Sequence, residues 1–392
     1  MENDKLAPPV DSQTVRFPFE VIQGAAHNFT ETYYSRLEVP REFLYMSFLT
    51  CLGSILSRRA TIDTEIHPQP RLYTLLLGES ADDRKSTAIK KTTDFFRECV
   101  KIIYNQPISE CWGVGSAEGL ASRLGHKASG GMVLLCYDEF KSFISKAKIK
   151  SSTLLPCVNS LFEDNRYENS IKRSHILITD GYLTMLAAST VQTYEAAWDK
   201  SFTDIGFNNR LFIVPGTGQR KYSLPLTVTL EEKKPLISKI RDIFQFIGEY
   251  REIELTKEGK KLFQEWYENQ TKSIHSKRLD GYALRIMLLM AINRKAARID
   301  AEIVSNAIEL VDWQLLMRQA YDPIDADNAS AKMEEKIRRT LDNKGPLTDR
   351  ELKQWSNAHR SGLWLYSIAM GNLRREKEIV LDRKSQKWKL GH

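Results

Sequence analysis

Leu72-Tyr73-Thr74-Leu75-Leu76-Leu77-Gly78-Glu79-Ser80-Ala81-Asp82-Asp83-Arg84-Lys85-Ser86-Thr87 is the stretch on which the reading of this chain turns. The apolar run from Leu72 to Leu77 predicts a buried strand, and Gly78 ends it. A polar turn follows, then Lys85-Ser86-Thr87, then a helix-like stretch from Ala88 to Phe96. Strand, turn, Lys-Ser/Thr and helix is the order of a phosphate-binding loop. In such a loop, backbone N–H groups cradle phosphates, a lysine neutralises the terminal ones, and a hydroxyl holds Mg²⁺. On this reading Gly78, Ser80, Arg84, Lys85, Ser86 and Thr87 line ATP, and Ser86 is a Mg²⁺ ligand.

The loop departs from the usual pattern. Glycines are expected six residues before the lysine and immediately before it, where this chain has Glu79 and Arg84. Asp82 and Asp83 also lie in the turn, where phosphate approaches. Taken alone, the stretch fits an ordinary strand–turn–helix equally well, so the rest of the chain must decide.

A second apolar run, Gly131 to Tyr137, ends in Asp138-Glu139. A strand ending in two acids is the other half of an ATPase site: Asp138 beside the Mg²⁺, and Glu139 polarising the attacking water. The plainer alternative is a buried strand capped by two solvated acids. A third run, Tyr182 to Ala188, leads to Ser189-Thr190 and offers a small polar side chain to the γ-phosphate or the water. Arg210 enters the strand Leu211-Phe212-Ile213-Val214 and is a candidate arginine finger for a neighbouring subunit, against the alternative of a surface ion pair. Arg285 is a single charge on an apolar helix and needs a partner, a protein carboxylate or a nucleotide phosphate.

The order of these features resembles the AAA+ ATPase core. More narrowly it is similar to the phage- and plasmid-borne primase–helicase family, on Phe17-Pro18-Phe19-Glu20-Val21-Ile22, Arg58-Arg59-Ala60-Thr61-Ile62, Pro70-Arg71-Leu72-Tyr73 and the loop with its extra residue. More distantly it resembles the MCM helicases, over Leu186 to Thr190, Asn209-Arg210-Leu211-Phe212, Ala283-Leu284-Arg285 and Ile299 to Ile308. The resemblance covers roughly residues 17–320. It implies a sensor role for Thr190, a finger role for Arg210 and a second sensor in Arg285, carried on a helical lid.

Composition sets the frame. The chain has 392 residues and 42% hydrophobic content, enough for more than one cored domain. No apolar run is long enough to span a membrane. The N-terminus shows no basic region followed by an apolar stretch, so no secretory signal is expected. Five cysteines without CxxC spacing predict reduced, mostly buried thiols, a cytoplasmic protein and no structural zinc. The net charge is +7, and residues 331–392 hold 15 Lys/Arg against 8 Asp/Glu, which is also +7. A basic module on a near-neutral body suggests that the module meets a polyanion.

Four segments are expected: 1–68, an N-terminal segment and helical lead-in, loosely attached at its start; 69–218, a mostly parallel α/β ATPase core; 219–325, a linker and helical lid; and 331–392. The last reads as three helices and a β-hairpin, a winged helix, with a capping box from Thr348 to Glu351. Arg374 and Arg375 on its third helix, and Arg383 and Lys384 on its wing, are candidate DNA contacts, against the alternative of a winged helix that packs only on protein. Lys172 and Arg173 are candidates for a hairpin facing single-stranded DNA, or for a plain surface turn. The expected function is an ATP-dependent DNA motor: a replicative or loading helicase of a mobile element, a homo-oligomeric ring, with any primase activity on a separate protein. The alternatives are a nucleotide-dependent DNA-binding switch with little or no hydrolysis, and a non-hydrolysing structural subunit.

Overall fold

A computed structural model describes residues 16–79, 83–125, 131–171, 174–197, 206–321, 329–382 and 385–391. The expectations for the extreme N-terminus, Ser80, Asp82, Lys172, Arg173, Arg383 and Lys384 fall outside these residues. The described chain forms two compact units: Phe17–Ala197 with Ile205–Leu315, and a second built from Leu316 onward.

The first unit begins with helices α1 (Gly24–Tyr34) and α2 (Arg41–Leu56). α2 is apolar on all sides and almost wholly buried, as an all-round hydrophobic helix must be. Strand β1 (Ala60–Ile62) is followed by β2 (Tyr73–Gly78), α3 (Lys85–Tyr104), β3 (Glu110–Trp112), α4 (Ala117–Leu124) and β4 (Gly131–Tyr137). Helices α5 (Lys141–Ala147) and α6 (Leu154–Glu163), then the hairpin β5 (Tyr167–Ile171) and β6 (Ser174–Ile178), lead to β7 (Gly181–Thr190), α7 (Val191–Ala197) and β8 (Phe212–Pro215).

Five of these strands form one sheet in the order β3-β4-β7-β2-β8, every pair parallel. β2 is buried along its whole length, and β7 and β4 nearly so. This is why the sequence shows unbroken apolar runs here instead of alternation. The chain runs from β2 to the far edge of the sheet, returns strand by strand, passes β2 and ends on its other side. In parallel sheets such a reversal places the ligand crevice at the strands' carboxyl ends.

The sequence placed a strand at residues 58–62 leading into the loop. β1 does form there, but outside the main sheet. It pairs in parallel with β9 (Arg251–Leu255), which pairs with β10 (Arg298–Ile299). The reason is occupancy: both edges of β2 are already taken by β7 and β8. Around this second sheet lie α8 (Leu230–Ile247), α9 (Lys257–Glu268), α10 (Leu279–Arg294) and α11 (Ala301–Ala320).

Nor are the lead-in and lid helices appendages. Asn293 of α10 accepts from the Ala26 N–H at 2.8 Å and donates to the Gln23 carbonyl at 2.7 Å, and Thr50 of α2 bonds Thr74 of β2 at 2.7 Å. α10 is buried on nearly every side, so it is a core helix of the unit that also holds the sheet.

The second unit contains α12 (Ala329–Lys344), α13 (Asp349–Trp355), α14 (Ala358–Ser361), α15 (Leu363–Arg375) and the antiparallel pair β11 (Ile379–Asp382) and β12 (Lys387–Leu390). Its own core includes Ile337, Leu352, Tyr366, Leu373 and Ile379. The expected capping box is present: Thr348 Oγ1 accepts from the Glu351 N–H, and the Glu351 carboxylate accepts from the Thr348 N–H. All five cysteines are buried thiols. Among the described residues, no helix is long and apolar enough to cross a membrane.

Candidate functional site

The register puts Gly78, the last residue of β2, directly opposite Thr190, the last of β7. β2 ends at Gly78, and Asp83 and Arg84 lie just before α3. Lys85 is the first residue of α3 and is buried; its ammonium donates to the Gly78 carbonyl at 3.0 Å and to the Glu79 carbonyl. Burial lowers the Lys85 pKa, opposed by the nearby charges of Asp83, Glu79 and Glu139. Glu139 is therefore within electrostatic reach of the lysine.

Asp83 does not face the space where phosphate was expected to enter. It is buried, accepts from the Gly218 N–H at 2.6 Å, and also accepts from the Glu79 N–H. The carboxylate latches the loop to the segment after β8. It also explains why Gly78 is the glycine retained: a Cβ there would sit 2.6 Å from Asp83 Oδ2 and 3.0 Å from the Gly216 carbonyl.

Arg84 adopts a left-handed conformation, φ 53°, at the position where a standard loop has glycine. Its guanidinium is directed to Glu38, at 2.8 Å, rather than toward the lysine. Glu38 also accepts from the Lys221 and Tyr222 N–H groups, at 2.6 and 2.9 Å. These bonds, led by Arg84, hold its carboxyl down at about 2. Arg84 is thus an anchor of the loop, which corrects its assignment to the nucleotide.

Beneath the loop, burial pushes the Glu42 carboxyl of α2 up to about 7, with the charge of Asp83 adding to the effect. A group raised in the fold binds more protons folded than unfolded. Stability is therefore expected to rise as pH falls from about 7 toward 4.5, and to be flat above 7. Thermal melts of Glu42→Gln across this range should lose that slope; an unchanged slope would assign it elsewhere.

Asp138 and Glu139 follow β4 and are exposed at the same carboxyl end, and the Phe140 N–H donates to the Ala188 carbonyl at 2.8 Å, tying their turn to β7. Ser86 is exposed on the first turn of α3, with Thr87 half-buried beside it. A hydroxyl and a carboxylate are the oxygen donors that a hard cation such as Mg²⁺ takes, with phosphate oxygens completing its shell, so Ser86 and Asp138 fit that ion. Thr190 is in place but already engaged: its hydroxyl accepts from the Thr193 N–H at 3.1 Å, capping α7, and donates to Thr193 Oγ1 at 2.8 Å. One residue missed from the sequence is Gln192, whose amide donates to the Glu79 carboxylate at 3.2 Å and links α7 to the loop. Its only sequence signal is its position just after the Ser-Thr strand end.

Two arginines given nucleotide roles from the sequence have partners inside the first unit. β8 runs parallel to β2 with Phe212 opposite Thr74, so Arg210 lies at the amino end of the sheet. Its guanidinium is 8% exposed, donates to the Gly206 carbonyl at 2.9 Å and lies 3.7 Å from Glu163. Arg210, expected from the sequence to serve a neighbouring subunit, is held here by groups of its own unit. Arg285 is also buried, 7% exposed. It donates to the Arg71 carbonyl at 2.9 Å and the Phe162 carbonyl at 2.6 Å, with its charge 4.1 Å from the centre of the Phe162 ring. Its partners are neither carboxylate nor phosphate. Arg71 precedes β2, whose six residues place Arg285 roughly 20 Å from Gly78, too far for the second-sensor role expected of it.

In the candidate DNA elements, β5 and β6 form the antiparallel hairpin on which the Lys172-Arg173 tip was expected. Arg374 and Arg375 are exposed at the carboxyl end of α15. The start of the same exposed stripe is apolar, with Leu363, Trp364 and Ile368 open to solvent. A recognition helix reads bases with its amino-terminal residues, so arginines at this end would meet phosphates and not base edges if the helix served as one.

No protein-family model matches this chain, and neither does any curated protein.

Proposed function

We propose that the first unit is a P-loop ATPase core of the kind its sequence resembles, that the second is a winged helix, and that the chain is an ATP-dependent DNA motor of a mobile element, a replicative or loading helicase. The observation that carries this reading is convergence at one end of the parallel sheet. Gly78, Lys85, Ser86, Asp138, Glu139 and Thr190 come from three separate sequence regions and meet at the carboxyl ends of β2, β7 and β4. Because β7 lies between β2 and β4, a triphosphate held at Lys85 would extend toward Glu139. Lys85 would exchange two loop carbonyls for phosphate oxygens, Ser86 and Asp138 would hold Mg²⁺, and Glu139 would orient the attacking water. Mg²⁺ would supply charge neutralisation at the transferring phosphoryl group.

Arg210 is held within its own unit, so no step of this mechanism is assigned to a trans finger. A second reading, a slow nucleotide-dependent switch, is favoured by one observation: the Lys85 ammonium is held by the loop's own carbonyls, which phosphate must displace. Steady-state ATP hydrolysis with and without single-stranded DNA separates the two. The motor reading expects turnover stimulated by DNA; tight ATP binding without turnover would leave only the switch. Removing residues 331–392 is expected to weaken DNA binding and flatten its salt dependence, and unchanged affinity would strip that segment of its role.

A further inference from the structure

A groove of about 880 Å³ opens on the first unit, at the other end of α3 from Lys85. The 20-residue helix separates the two sites by roughly 30 Å. Arg58 and Arg59 contribute from the approach to β1, Tyr104 from the end of α3, Arg241 and Phe244 from the last turns of α8, and Tyr250 from the turn into β9. Three guanidiniums from two separate segments therefore face one concavity, with Glu249 the acid on its wall.

The cations are differently engaged. Arg59 donates to the Tyr104 hydroxyl at 2.8 Å and lies 5.0 Å from the centre of that ring, while Tyr104 stacks on Phe244 at 5.3 Å with the planes 24° apart. This stack fixes Arg59 without neutralising it. Arg58 has a loose, half-exposed contact with Asp180 at 3.6 Å, and among the described residues Arg241 has no carboxylate within 4.0 Å. Tyr250 is 57% exposed and is oriented by its hydroxyl, which donates to Glu252 at 2.9 Å. An exposed ring beside guanidiniums, in an open groove, matches a ligand of flat bases joined by phosphates.

We propose that this groove binds a short stretch of single-stranded nucleic acid, with phosphates on Arg58, Arg59 and Arg241 and a base stacked on Tyr250. The volume favours a strand over a single nucleotide, since several cations and a separate ring are available to successive units. No arrangement of the lining selects one base, so binding is expected to tolerate sequence. The inference shares its partner with the proposed motor but requires neither ATP nor hydrolysis.

The test uses the full chain without nucleotide. A fluorescent oligothymidylate is titrated against the wild type, Arg241→Ala and Tyr250→Ala at several salt concentrations. Tyr250→Ala is expected to weaken binding about tenfold. Arg241→Ala should reduce the salt slope by about 0.7, the share of one single-strand phosphate. Both residues are exposed, so unchanged thermal melts will show that the variants fold. An iodouracil-containing strand should cross-link at Tyr250. Wild-type affinity and salt slope in both variants, with cross-links confined to residues 331–392, would overturn the proposal. Displacement of the strand by an equimolar nucleoside monophosphate would overturn the assignment to a strand. Because ATP is absent, failure here leaves the ATPase reading to its own test, and failure of hydrolysis leaves this one standing.

Discussion

Glu139→Gln is expected to lower the rate of ATP turnover by on the order of 10²- to 10⁴-fold while leaving ATP binding intact. The amide keeps the size of the side chain and loses the negative charge that orients and deprotonates the attacking water. Glu139 is exposed at the end of β4, so the change should cost little stability. Its charge acts on Lys85, the group assigned to the phosphates. Turnover measured under saturating ATP, with binding followed separately, distinguishes the roles. If Glu139→Gln turns over ATP like the wild type, Glu139 is only a solvated strand cap.

Arg285→Met is expected to act in the opposite way, on stability and not on the nucleotide. The substitution keeps much of the volume but removes both donors from the Arg71 and Phe162 carbonyls, which lie in the core between α10, β2 and α6. Leaving two buried carbonyls without donors costs roughly 2–5 kcal/mol. Melting should fall by about 5 °C or more in a unit of this size. The affinity of the folded protein for ATP should not change. A variant that melts like the wild type but binds ATP poorly would restore Arg285 to the nucleotide.

These two residues show what the sequence could carry. The strands β2, β4 and β7 were legible because a sheet buried on both faces writes itself as continuous apolar runs. Asp138 and Thr190 sit where such runs end, and Lys85 opens the helix that follows another. Arg210 and Arg285 carry no sign in the sequence of the groups that hold them, the Gly206 carbonyl and Glu163 for one and the Arg71 and Phe162 carbonyls for the other. Asp83 and Arg84 were legible as departures but not in direction. Their partners, Gly218 and Glu38, are distant in sequence and come close only in the fold. The same distance hid Glu42 and the placement of β1 against β9.

Lys85 is bonded to two loop carbonyls that, on the proposed function, give way to phosphate, while Asp83 and Arg84 fasten the approach to α3. The most direct measurement is a calorimetric titration of Mg²⁺-ATP into the wild type and into Lys85→Ala. The account predicts saturable binding by the wild type that is lost in the variant. No binding by the wild type up to about 1 mM ATP, or equal binding by both, would contradict it.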